Sequence, residues 1–244
     1  MRFISPGLAL LCLLVLDSPL AAAPAAAASS PSLLPGNDSL RVAVQLTVAA
    51  LLPLAILAFT PFLRVSTVLY FLRQALGIPN VPSNQIILIL SLLLTYGIMR
   101  PTLDAIYKES VAPYIGGAIS EGQALEQGQK HLRTRMTPYA GESEIRLMLK
   151  IGQQTAPSSR DQLPFDILAG AYMLSELKTS FRMGAMIYIP FLIIDLVVSA
   201  LVVALGMIQL PPALVSTPLK ILVFVLADGW VLLLEGLANS FPAK

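Results

Sequence analysis

The chain has 244 residues, 56% of them hydrophobic and 12% charged, with a formal net charge of +2 and a mean hydropathy of +0.76. Ordinary soluble domains carry about 25% charged residues, so a water-soluble globule is a poor reading and a multi-span helical membrane protein is the default. So small a net charge, with no basic stripe interleaved with aromatics, excludes nucleic acid as an expected partner.

Residues 1–28 read as a signal peptide: Arg2 is the basic start, Leu8 to Leu16 a short apolar core, and Ala21 to Ala28 offers A-x-A cleavage options. Residues 29–41 are a Ser-, Pro- and Gly-containing flexible lead-in. A first helical hairpin is expected over 42–99. Its first apolar run, Val42 to Phe59, just reaches spanning length and contains Pro53, which predicts a kink. Thr60 to Gln85 reads as a connection carrying Arg64 and Arg73 and no acid, and Ile86 to Met99 as an apolar run marginal for crossing ~30 Å of hydrocarbon.

Residues 100–165 differ in kind. Arg100 to Asp166 holds eight of the sixteen basic and eight of the fourteen acidic residues, and Pro113, Pro138 and Pro157 punctuate it. We expect a small extramembrane helical domain, with Glu142 and Arg146 forming a favourable pair four residues apart. Residues 166–244 form a second hairpin. Asp166 to Gly184 has an amphipathic pattern, Ala185 to Leu205 is a full-length apolar run closed by Gly206 and Pro211-Pro212, and Ile221 to Leu237 is the last run. With the N-terminal end outside, the two short inside connections, holding Arg64/Arg73 and Lys220, carry only basic residues, in keeping with the positive-inside rule.

Charges among these runs are costly and therefore informative. Ile187 to Val203 contains twelve Leu, Ile, Val or Phe residues. They supply roughly −4 to −7 kcal/mol on insertion scales, of which a central Asp195 removes about 3 kcal/mol. Such an aspartate is expected to meet a group on another helix. Glu176 and Lys178 are two apart, do not face each other on a helix, and are expected to seek different partners. Asp228, beside Trp230, also fits a membrane–water interface. No nucleophile arrangement, metal-ligand cluster or phosphate loop accompanies these carboxylates, so no catalytic residue, cofactor or metal is expected. The single cysteine, Cys12, permits no disulfide within the chain, and the single histidine, His131, lies in a polar segment.

The order of these residues resembles a known family. Ala171 to Lys178, followed by Phe181 and Gly184, resembles one signature of the FliP family, the P subunits of the flagellar type III export gate. Pro190 through Asp195 to Val198 resembles a second. Gly206-Met207, Pro211-Pro212, Ser216, Pro218 to Lys220, and Phe224 through Asp228 to Trp230 follow in the family's order. Thr60, Phe62, Arg64, Leu72 to Gly77, Asn84 and Gln85 are similar to its first hairpin.

The resemblance implies an all-α, membrane-complex subunit of the bacterial inner membrane and flagellar basal body. It implies assembly of five copies with the Q and R gate subunits, contact with membrane lipid, and passage of unfolded rod, hook and filament proteins. By resemblance, Arg64, Glu176, Lys178, Asp195, Lys220 and Asp228 make intersubunit contacts, and the loop of Gly206, Met207, Ile208 and Gln209 constricts a pore. Ile208 and Gln209 stand where methionine is usual. The alternatives are an export-gate subunit of a virulence secretion system and, from the aspartates alone, a proton-coupled small-solute transporter using Asp195 and Asp228.

Overall fold

Phe62–Leu76 carries apolar side chains at positions 65, 68, 69, 72 and 76, the i, i+3, i+4 spacing of a helix buried along one broad stripe, and it forms helix α1. Val65, Val68, Leu69 and Leu72 are almost fully inaccessible. The segment read as a connection is therefore the most enclosed helix among the described residues. Its end is set by Gly77, which adopts a left-handed conformation (φ +72°).

The computed structural model describes residues 57–157, 159–207 and 209–241, with a few positions between 42 and 50. The signal-peptide and lead-in expectations, most of the run from Val42 with Pro53, and Ile208 lie outside the described residues. Residues 57–241 belong to one compact unit, which begins at residue 50.

Helix α2, Asn84–Ile106, begins at Ser83, whose hydroxyl accepts a hydrogen bond from the Ile86 amide. It does not stop at Met99. It continues through a π-turn at Tyr107–Val111 into α3, Ala112–Ile115, so the short apolar run belongs to a helix of 32 residues. Helix α4, Glu121–Met136, opens with a reciprocal capping box between Ser120 and Gln123. Helix α5, Glu142–Ile151, follows a single turn of 3₁₀ helix at Thr137–Tyr139. Among the described residues no strand occurs.

Helix α6, Phe165–Ala204, joins the amphipathic segment and the apolar run after it into 40 unbroken residues. At 1.5 Å per residue it is about 60 Å long, twice the hydrocarbon thickness, so one helix can serve both a membrane span and an extramembrane domain. Its N-terminal part packs on α5 around Met136, Ile145, Leu149, Leu168 and Tyr172. Farther along it packs on α1, contributing Phe191 to a core with Val68, Leu72, Phe224 and Leu237.

The last apolar run is not one helix. Helix α7, Ala213–Leu226, and helix α8, Gly229–Asn239, are bent by 65° at a short break. Asp228 takes a left-handed conformation there (φ +48°), while the Phe224 and Trp230 rings pack edge to face across the bend at 5.5 Å. Asn84–Ile115 and Phe165–Ala204 are long and apolar enough to cross a membrane, and the bent pair makes a third candidate span.

Gly184 of α6 lies against the Phe71 ring of α1, so that a β-carbon at this position would run into the ring. Gly184→Val is therefore expected to destabilise the chain by about 1–3 kcal/mol through overpacking. A thermal melt in detergent reads this directly. Shortening the obstacle, Phe71→Leu, should recover part of the loss in the double variant.

Candidate functional site

Each charge singled out in the apolar segments can be followed to its position. Arg64 begins the buried stripe of α1 and is 3% exposed; Glu176 of α6 is wholly buried. Arg64 Nε donates to Glu176 Oε2 at 2.7 Å and Nη2 donates to Oε1 at 2.5 Å, a bidentate fork. The remaining guanidinium nitrogen, Nη1, donates to the carbonyl and hydroxyl oxygens of Ser240, both at 3.1 Å. Ser240 is the residue after α8, where helix carbonyls lack an intrahelical partner and a cation is favoured. The Phe241 ring lies 3.9 Å below the guanidinium carbon.

The second pair repeats this logic. Lys220 of α7 is 5% exposed. Its Nζ donates to Asp195 Oδ2 at 2.5 Å and to the Ala75 carbonyl at 3.1 Å. Ala75 lies in the last turn of α1, so Lys220 also covers an open carbonyl end. Asp195 keeps about a third of its side chain exposed (35%). In both sites a buried cation is shared between one carboxylate and one helix C-terminus, and three segments distant in sequence are tied at one point.

Lys178 finds a different acid from Glu176, as their spacing predicts. Its Nζ donates to Glu144 Oε1 at 2.8 Å, linking α6 to α5. Glu142 bonds Arg160 and also lies 3.9 Å from Arg146, the pair expected from their spacing. The Lys178 hydrogen bond, assisted by Ser143, holds the Glu144 carboxyl below its ordinary 4.5, and Arg160 does the same for Glu142. Depressed folded-state values mean stability that is present above about 4.5 and lost as pH falls through the lower folded values. The melting temperature is expected to be flat from pH 7 to about 5 and to drop below 4.5, with a shallower drop in Glu144→Gln.

Asp228 is exposed at the α7–α8 bend; its backbone carbonyl accepts from the Val231 and Leu232 amides. Among the described residues its carboxylate has no cationic partner, whereas Asp195 is held by Lys220.

The turn after α6 has a defined geometry. The Gly206 amide donates to the Val203 carbonyl (3.0 Å) and the Met207 amide to the Val202 carbonyl (3.1 Å), the double bond pattern of a Schellman end. Gly206 has φ +74°, which a residue without a side chain adopts freely. Met207 is left 44% exposed, Gln209 is exposed as well, and the Pro211-Pro212 pair then starts α7. The turn links two apolar helices, α6 and α7.

Three partners were not legible in sequence. Ser240 and Phe241 lie beyond the last apolar run, and Tyr139, 5.6 Å from Arg64, lies in the segment read as extramembrane. Their types carry no signal; the return of α8 to the start of α1 brings Ser240 and Phe241 there, and the 3₁₀ turn after α4 brings Tyr139. The buried cations also change the topological reading. Arg64 and Lys220 sit inside helices against protein partners, so neither counts as a loop charge in the positive-inside rule.

These features define an all-helical membrane protein whose buried charges Arg64, Glu176 and Lys220 are paired within the chain and whose second hairpin carries an exposed turn. The FliP family model matches residues 45–237. Flagellar biosynthetic protein FliP of Aquifex aeolicus (strain VF5) is 39% identical over 206 residues, 84% of this chain and 86% of that protein. The protein of that name from Pectobacterium carotovorum subsp. carotovorum is 42% identical over 203 residues, 83% of this chain and 79% of its own. That of Bacillus subtilis (strain 168) is 36% identical over 205 residues, 84% of this chain and 93% of its own. The chain belongs to the FliP family.

Proposed function

We propose that this chain is a pore-forming structural subunit of the flagellar type III protein export gate. It sits in the bacterial inner membrane at the flagellar basal body, assembled with further copies of itself, five by family resemblance, and with Q and R subunits. Unfolded rod, hook and filament proteins pass through the pore. It performs no chemistry of its own.

The observation that carries this reading is the exposed Gly206–Met207 turn, held by a Schellman end between two helices whose outer faces remain apolar. Leu196, Val197, Leu201, Leu222, Val225 and Leu226 are all exposed in the single chain. Such faces need lipid or sister subunits over them. Repeated around an axis, they would bring several copies of the turn together as a constriction of Gly206, Met207, Ile208 and Gln209. A flexible thioether suits a seal around varied chains.

The contact residues then divide by task. Arg64–Glu176 and Lys220 shape each subunit from inside and Lys178–Glu144 ties α6 to α5 at its surface, while Asp228 and the exposed part of Asp195 are free to meet a neighbour. The names borne by the relatives favour the flagellar over the virulence branch.

Two experiments test the proposal. A strain lacking the chain is expected to secrete no hook protein, and continued secretion would overturn the role in export. A photo-reactive residue replacing Met207 is expected to cross-link to a stalled hook-protein fusion. Cross-links confined to lipid would remove the loop from the path.

A further inference from the structure

A cleft of about 780 Å³ lies between α2, α4 and the end of α8, where Ala238 and Phe241 close one side. That volume lies within the ordinary range of ligand pockets. One wall comes from α2, a candidate membrane helix, through Leu93, Gly97, Ile98 and Ala105; the other comes from α4 through His131 and Arg135. No atom lies within 4 Å of where a β-carbon on Gly97 would stand, so the apolar wall is open at that point.

Arg135 is the unexplained group. It is half-buried, and its guanidinium carbon lies 4.7 Å from the Tyr139 ring and 5.6 Å from the Phe241 ring. Among the described residues it makes no hydrogen bond and no ion pair. The buried acid of the neighbouring cluster, Glu176, is gripped at both oxygens by Arg64. No acid is left within ion-pair distance of Arg135 among the described residues. A partly desolvated guanidinium with open donors lacks the compensation such a group requires. His131 does not supply an anion: it bonds Glu109 at 3.0 Å and thereby marks the outer end of the cleft, a turn beyond Ala105.

A planar cation held by two rings, with no acid or hydrogen-bond acceptor among the described residues, beside an apolar wall on a candidate membrane helix matches one ligand chemistry, a phosphate diester joined to hydrocarbon. We propose that this cleft binds an anionic membrane phospholipid, its phosphate on Arg135 and an acyl chain along the α2 wall from Ala105 toward Leu93. The planar fork suits paired phosphate oxygens, and the flanking rings orient it. A helix from a second copy would fit the apolar wall but leave the guanidinium unanswered. The inference rests on the membrane reading of α2 and stands apart from the pore proposal.

The test uses the full chain in its assembled complex, placed in nanodiscs of phosphatidylglycerol or of phosphatidylcholine and released for native mass spectrometry. The wild type is expected to retain phosphatidylglycerol in preference to phosphatidylcholine. Arg135→Gln should lower that retention about tenfold, the worth of one charge-assisted contact. Gly97→Leu fills the cleft without changing charge and should lower it as well, with helicity by circular dichroism unchanged. Wild-type retention in both variants overturns the proposal. A photo-reactive residue in place of Ile98, with Arg135 intact, decides the matter even if Arg135→Gln fails to fold. A lipid adduct supports the site, and a protein–protein adduct gives the cleft to a sister subunit and overturns it.

Discussion

Glu176→Gln is expected to destabilise the chain by about 3–5 kcal/mol, because it leaves the Arg64 guanidinium charged, buried and without its carboxylate. Arg64 is 3% exposed and cannot turn outward to recover water. Its remaining acceptors, the two oxygens of Ser240, are neutral. The melting temperature in detergent and protection from protease should both fall, and protease should reach the residues after α8 first, because Arg64 ties Ser240 and Phe241 to the start of α1. The double variant Arg64→Met/Glu176→Leu separates charge from packing. An apolar pair of similar volume should recover most of the loss, as replacing both members of a buried pair commonly does. If the single variant melts within about 0.5 kcal/mol of wild type, the scale of an ordinary surface substitution, the pair is not the tie described.

The second large effect is expected at Lys220. Asp195→Ala removes its carboxylate and leaves the buried ammonium with only the Ala75 carbonyl. Because Asp195 is about a third exposed, solvent already weakens this pair, and the expected cost is nearer 2–3 kcal/mol than the full penalty of a sealed pair. The same substitution makes α6 easier to insert by about 3 kcal/mol. The two terms act on different steps. Membrane-integrated protein, read after carbonate extraction, should therefore be unchanged or raised, while the complex on a native gel should shrink or vanish. Asp195→Leu with Lys220→Met should restore folding of the subunit. Assembly should return with it only if Asp195 serves Lys220 alone; a folded double variant that still fails to assemble assigns the exposed part of Asp195 to a neighbouring subunit.

Much of this arrangement is readable from the one-dimensional pattern. The apolar runs locate α2, α6 and the α7–α8 pair, because backbone groups in a membrane must be satisfied within a helix and a long apolar run has few other folds. Glu176, Lys178, Asp195 and Lys220 stand out for the same reason, since a charge among such runs persists only with a partner. The order of these residues along 45–237 is also sufficient to place the chain in its family. Helix ends were less legible. Nothing in the run around Met99 announces that α2 continues to the π-turn, and the last run gives no sign of its 65° bend apart from Asp228-Gly229.

The helical membrane class, the family and the charges that need partners are all legible in the order of residues. Each follows from local composition against the cost of burying polar groups. The identity of those partners comes from the packing of the helices alone. Arg64 meets Glu176 across 112 residues and Ser240 across 176, and Lys220 meets Ala75 across 145. Pairings over such separations depend on how α1, α6, α7 and α8 pack in space, so an arginine in an apparent loop and a serine after the last apolar run carry no mark of being neighbours.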